Sequence, residues 1–168
     1  MPRCKECKEK YTRTMPLQVA CSVKCAIAVG AKAETKKKAK ESAKRKRDFL
    51  DSDIKHWKKK AREVFHAYIR QRDKDLPCVS CGRVSGCQWH AGHYRPSGIN
   101  SALRYDERNV HKQCAQCNNH KSGNLFYYRL ELITRIGIDV VLELEHNNET
   151  RRWTVDDLKE VFNHYKQR

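Results

Sequence analysis

The sequence contains no apolar run approaching bilayer-spanning length, and its start, MPRCKECKEK, has no apolar stretch of the kind that opens a signal peptide. It is also short of acid. Against 36 Lys+Arg stand only 20 Asp+Glu, a formal charge of +16 over 168 residues. A solvated surface does not need that excess, so polyanions and anionic membrane are the partner classes to weigh, and nucleic acid is the commonest polyanion. No internal repeat is evident. With no spanning or targeting segment in view, the expectation is a soluble, cytoplasmic protein with no membrane partner.

Cysteine is what the chain has in quantity. Eight of nine fall into close pairs, Cys4/Cys7, Cys21/Cys25, Cys78/Cys81 and Cys114/Cys117, leaving Cys87 over as a small, half-buried residue. An intracellular chain keeps thiols reduced, and two thiolates from one tight turn suit adjacent vertices of tetrahedral zinc. The first four, C-x2-C-x13-C-x3-C, lie within residues 1–30. That stretch is too short to bury a core, so a metal must fold it. A Cys4 zinc knuckle is expected, with Cys21–Cys25 opening a helix; the bland alternative is four thiols in a tail. The second four, C-x2-C-x32-C-x2-C, form a closed sulfur set with no open coordination position, hence a second structural zinc.

Between these modules, residues 31–49 read as a basic arm or linker. Lys32, Lys36, Lys40 and Lys44 recur every four residues, Arg45 and Arg47 follow, and no apolar face exists for a core. Then comes an amphipathic pattern: Leu50, Ile54, Trp57, Ala61, Val64 and Tyr68, broadened by Phe65 and Ile69, with Asp51, Ser52 and Asp53 as starting residues. Its polar side, including Lys58 and Lys59, is basic, and His56 and His66 are assigned to that surface without chemistry. Residues 125–145 predict helix interrupted at Gly137, and Thr154–Asp157 predicts a capping box before a last helix with Leu158, Val161, Phe162 and Tyr165 on one face.

The zinc of residues 78–124 would clamp a hairpin whose first strand carries His90 and His93 and whose second carries Asn109 ahead of Cys114. Here NVHKQCAQCN, with Lys121 after it, resembles the zinc-bearing HNH (ββα-metal) nucleases, and the layout is similar to phage endonuclease VII, a Holliday-junction resolvase. Over nearly the whole chain, YIRQRDKDLPCVSCGR, AGHYRP and CNNHKSGN resemble the NinG (Rap) recombination proteins of lambdoid phages. The resemblance implies an α+β fold: a zinc-containing ββα-metal core flanked by α-helices, with an N-terminal knuckle (1–30), a long basic helix (31–49) and a nuclease domain (50–168). In that domain the motif core is 78–124 and the C-terminal helices are 125–168.

It further implies a Mg²⁺- or Mn²⁺-dependent endonuclease cutting branched DNA such as Holliday junctions and D-loops in the host cytoplasm. In the family's scheme His93 is the general base, Asn109 orients its ring, Asn118 holds the cation and Arg95 binds a neighbouring phosphate. Phosphate contacts along the arm and next helix fall to Lys36, Lys40, Lys44, Arg45, Arg47, Lys58 and Lys59. One position departs from the pattern. Where many such nucleases carry an Asp or His ligand just before the base, this chain has Gly92. His90 is the substitute, brought round by a bulge at the glycine; His120, Asp106, Glu107 or Asn124 are alternatives. His111, His146 and His164 are left as structural or surface residues. Two cuts per junction motivate a homodimer. The rival readings are a non-catalytic zinc-stabilised DNA-binding factor, which Gly92 favours, and a site-specific HNH endonuclease.

Overall fold

The computed structural model describes residues 1–168 and divides into two compact units, Met1–Ser52 and Asp53–Arg168. In the first, a tight turn returns the chain after Cys4, with the Lys8 amide donating to the Cys4 carbonyl at 3.0 Å and Lys8 at φ 64°. The second knuckle repeats the device: the Gly82 amide donates to the Cys78 carbonyl at 3.0 Å with φ 71°. Left-handed backbone suits glycine and burdens lysine, so the first turn is the more strained of the two. Helix α1 (Val23–Ser52) starts behind Ser22, whose hydroxyl accepts from the Cys25 amide at 3.2 Å. It carries Cys25 in its first turn and has no buried residue. Cys25 of the knuckle and the basic arm therefore lie on one continuous helix.

In the second unit, α2 (Ile54–Arg72) is capped by Asp53, whose side chain accepts from the Lys55 amide. Its buried row is Ala61, Phe65 and Ile69. Trp57 and Tyr68 of the expected stripe pack against the same core. Leu50 belongs to α1 and Ile54 is exposed, because the break at Asp53 restarts the helical phase. The two strands, β1 (Trp89–His93) and β2 (Val110–Cys114), pair antiparallel with His90 opposite Gln113, Gly92 opposite His111 and His93 opposite Val110. The register runs unbroken. Gly92 therefore makes no bulge, and the expectation that a bulge brings His90 round to the side of His93 is corrected.

A π-helical turn (Gln116–His120) follows the second CxxC, then α3 (Leu125–Ile136) and α4 (Ile138–His146), separated by Gly137 at φ 85°. Helix α5 (Val155–Lys166) opens with the predicted capping box between Thr154 and Asp157. Alternation along the strands splits the core in two. Ala91 and Val110 pack with Phe65, Ile69 and Leu158 of α2 and α5. On the other side, the Tyr128 hydroxyl of α3 donates to the Gly92 carbonyl at 2.9 Å and lies 3.3 Å from His111 Nδ1. A small sheet between two helical layers is an α+β arrangement.

Candidate functional site

Four sulfurs from Cys4, Cys7, Cys21 and Cys25, and four from Cys78, Cys81, Cys114 and Cys117, each lie within 4.8 Å of one another. With Zn–S bonds of about 2.3 Å, tetrahedral sulfurs sit roughly 3.8 Å apart. Amides also point at the sulfurs: Cys21 N–H at Cys4, Cys114 N–H at Cys78 and Cys117 N–H at Cys114, at 3.3–3.4 Å. Such donors favour thiolate, the form zinc binds. Both clusters could hold zinc. Cys87 stays outside the sulfur set and packs beside it with Trp89.

His93 closes β1. Its Nε2 lies 3.0 Å from the main-chain carbonyl of Arg104. A carbonyl only accepts, so Nε2 carries the proton and Nδ1 keeps the lone pair. Burial lowers the pKa of His93, and the nearby Arg104 charge adds to the effect, against the carbonyl that favours the protonated ring. The ring is thus neutral and basic at one defined atom.

Asn109 does not touch that ring. Wholly buried in the 3-10 turn before β2, its carboxamide accepts from Arg95 N at 2.7 Å and donates to the carbonyls of Arg95 at 3.0 Å and Leu103 at 3.1 Å. The expected direct orientation is corrected to an indirect one: Asn109 pins the turn Ser101–Tyr105, and that turn presents the Arg104 carbonyl.

A residue assigned to inert surface also belongs here. His66 of α2 is half-buried, with its ring centroid 5.8 Å from that of His93. Burial drives its pKa down to about 4, with further lowering from the charges of His93, Arg62, Arg70 and His90. Its place beside buried Phe65 in the helix was the available signal; the Arg104 carbonyl, a backbone atom, left none.

On the other strand face, Asn118 Nδ2 lies 3.0 Å from His90 Nδ1 and 2.9 Å from Asn119 Oδ1. His90 therefore steadies the Asn118 carboxamide. A Cβ on Gly92 would lie 3.1 Å from Asn118 Oδ1 and 2.2 Å from Gln113 Oε1. That Gln113 oxygen is buried without a hydrogen-bond partner. Two carboxamide oxygens, Gln113 Oε1 and Asn118 Oδ1, thus face the same point above Gly92, and oxygen donors are what a hard divalent cation takes.

The alternative ligands are engaged elsewhere. Asp106 accepts from Arg108, Glu107 accepts from the hydroxyls of Tyr68 and Tyr165, and Asn124 donates to Cys117 Sγ at 3.6 Å. His120 is exposed at the end of the π turn. Lys36, Lys40, Lys44, Arg45 and Arg47 are exposed on α1, as are Lys58 and Lys59 on α2. Arg95 donates to Asn148 and Arg104 to the Ser97 carbonyl, while the Nε of each is buried without a partner. His111 is buried and structural, and no helix is long and apolar enough to cross a membrane.

The family model described as "NinG: Bacteriophage Lambda NinG protein" matches residues 1–168. Protein ninG of Escherichia phage lambda is 41% identical over 186 residues, covering 99% of this chain and 90% of its own length. Protein ninG of Salmonella phage P22 is likewise 41% identical, with 99% and 91% covered. Protein ninG of Escherichia phage 933W is 51% identical over 113 residues, 67% of this chain and 56% of that protein, so the aligned part spans about half of that relative. No solved structure matches.

Proposed function

The chain belongs to the NinG family of lambdoid phage proteins, and from that premise we propose that it is a divalent-metal-dependent endonuclease cleaving branched DNA recombination intermediates. The observation that carries the reading is the fixed tautomer of His93, its Nε2 proton directed to the Arg104 carbonyl and its Nδ1 lone pair free, next along the strand to Gly92 and the two carboxamide oxygens that face it. His93 Nδ1 takes a proton from water as the water oxygen bonds to phosphorus and the bond from phosphorus to the 3′ oxygen breaks. A divalent cation, when bound, polarises the phosphate and stabilises the leaving oxygen. Asn118 would hold it, steadied by His90. Arg95, which follows the strand of His93, grips a flanking phosphate oxygen.

Exposed bases of α1 and α2 supply sequence-independent affinity through counterion release. Branch selectivity comes from shape, with separated basic surfaces on more than one duplex arm. Cutting two strands of a junction calls for two copies of the chain.

The test compares labelled four-way junction with linear duplex, in Mg²⁺, Mn²⁺ or EDTA. Metal-dependent nicking confined to the junction is expected. Binding with no cleavage in either metal would leave a non-catalytic DNA-binding factor, and equal cutting of the linear duplex would remove the branch selectivity.

A further inference from the structure

The space above Gly92 is taken by a neighbouring side chain. Gln113 stands opposite His90 in the register, and its side chain lies over the glycine so closely that a Cβ there would be 2.2 Å from Oε1. The amide orientation is fixed by its other end. Nε2 donates to the Gly123 carbonyl at 2.5 Å and to Ser80 Oγ at 2.6 Å, and a main-chain carbonyl can only accept. Oε1 must therefore face Gly92. It is wholly buried and has no hydrogen-bond partner.

An orphaned buried carbonyl oxygen is costly, and such atoms usually have an ion or a water to satisfy them. Asn118 Oδ1 lies 3.1 Å from the same point above Gly92. Two neutral oxygens from different elements, β2 and the π turn, thus converge on one place, beside an imidazole that steadies the second.

We infer that Gln113 Oε1 is a ligand of the divalent cation, standing in for the side chain that Gly92 lacks. This deepens the endonuclease reading and rests on it. Gly92 is glycine because any side chain would displace the Gln113 oxygen. The donor set carries no charge, so the cation binds weakly to the free protein and more tightly once a DNA phosphate joins it. Ser80 and Gly123 hold the carboxamide by its nitrogen, as outer partners commonly orient a metal ligand.

Mn²⁺ is the probe, on the zinc-loaded full chain. In ¹⁵N-labelled wild type, substoichiometric Mn²⁺ should broaden the side-chain amide signals of Gln113 and Asn118 before those of the other glutamines. In Gln113→Met, which keeps the volume and removes the oxygen, Mn²⁺ affinity read from free-ion EPR should fall at least about tenfold. If that variant loses zinc or folding, the wild-type broadening decides alone. Broadening that spares Gln113, or unchanged Mn²⁺ affinity in a folded Gln113→Met, overturns the assignment. Mn²⁺ bound at Gln113 without cleavage of any DNA would sink the endonuclease reading and leave this ligand standing. Mn²⁺-dependent cleavage with Gln113 untouched would do the reverse.

Discussion

His93 Nε2 and the main-chain carbonyl of Arg104 meet at 3.0 Å, and that one hydrogen bond decides which ring nitrogen can take a proton. The tautomer of His93 is therefore set by a backbone turn eleven residues away, and the turn is in turn held by Asn109.

The pH profile follows from burial. His93 is held below its ordinary value of 6.5, with His66 packed against it from α2 and the Arg104 charge beside it. A base must be neutral to act, and the second-order rate constant reports the free enzyme. That constant should stay level as pH falls through 6.5 and decline only below it. A decline centred at or above 6.5 would contradict the burial argument.

Asn109 makes three side-chain hydrogen bonds that hold the chain around the site. Asn109→Ala strands the carbonyls of Arg95 and Leu103 and the Arg95 amide, at a cost of roughly 3 kcal/mol. Urea unfolding should show a lower midpoint, and cleavage should fall with DNA binding retained. Wild-type stability in this variant would mean the turn is held by something else.

One buried and one half-buried imidazole set an acid limit on stability. Burial pushes both His66 and His111 down to about 4 from an ordinary 6.5. Between those values the unfolded chain binds protons that the folded chain refuses, so stability falls as pH drops through the window and levels off below 4. For His111 the full effect is on the order of 3 kcal/mol. Urea midpoints measured across the window, with zinc content followed, should slope accordingly, and His66→Asn should flatten the slope.

Zinc content separates the two modules. Elemental analysis should find two zincs in wild type and one in either Cys4→Ser or Cys78→Ser. Cys4→Ser should lose order in residues 1–22 only, whereas Cys78→Ser should dissolve the hairpin and abolish cleavage.

The exposed bases of α1 make a salt prediction. Replacing Lys36, Lys40, Lys44, Arg45 and Arg47 by Gln should weaken binding to all DNA alike. Each residue that contacts a phosphate removes about 0.9 from the slope of log affinity against log salt. An unchanged slope would leave the helix as a spacer.

Legibility in the sequence followed the range of each interaction. Cysteine spacing announced both sulfur clusters, since turn geometry is local, and the Thr154 capping box and the Gly137 break were plain for the same reason. The α2 stripe was legible at Trp57, Ala61, Phe65, Tyr68 and Ile69, but not its start, because the cap at Asp53 separates Leu50 from it. Gly92 stood out as a missing ligand, but the oxygen that packs over it comes from Gln113 across the hairpin, visible only once the register is known. His66 reached His93 by packing of α2 on the sheet, which no local pattern encodes.

The most direct measurement is single-turnover cleavage of a labelled four-way junction in Mn²⁺ by wild type and His93→Ala, both checked for two zincs and equal junction binding. A rate lowered by about 10²–10⁴-fold in the variant is predicted. Equal rates, or no cleavage by wild type, would contradict the assignment of His93 as the base.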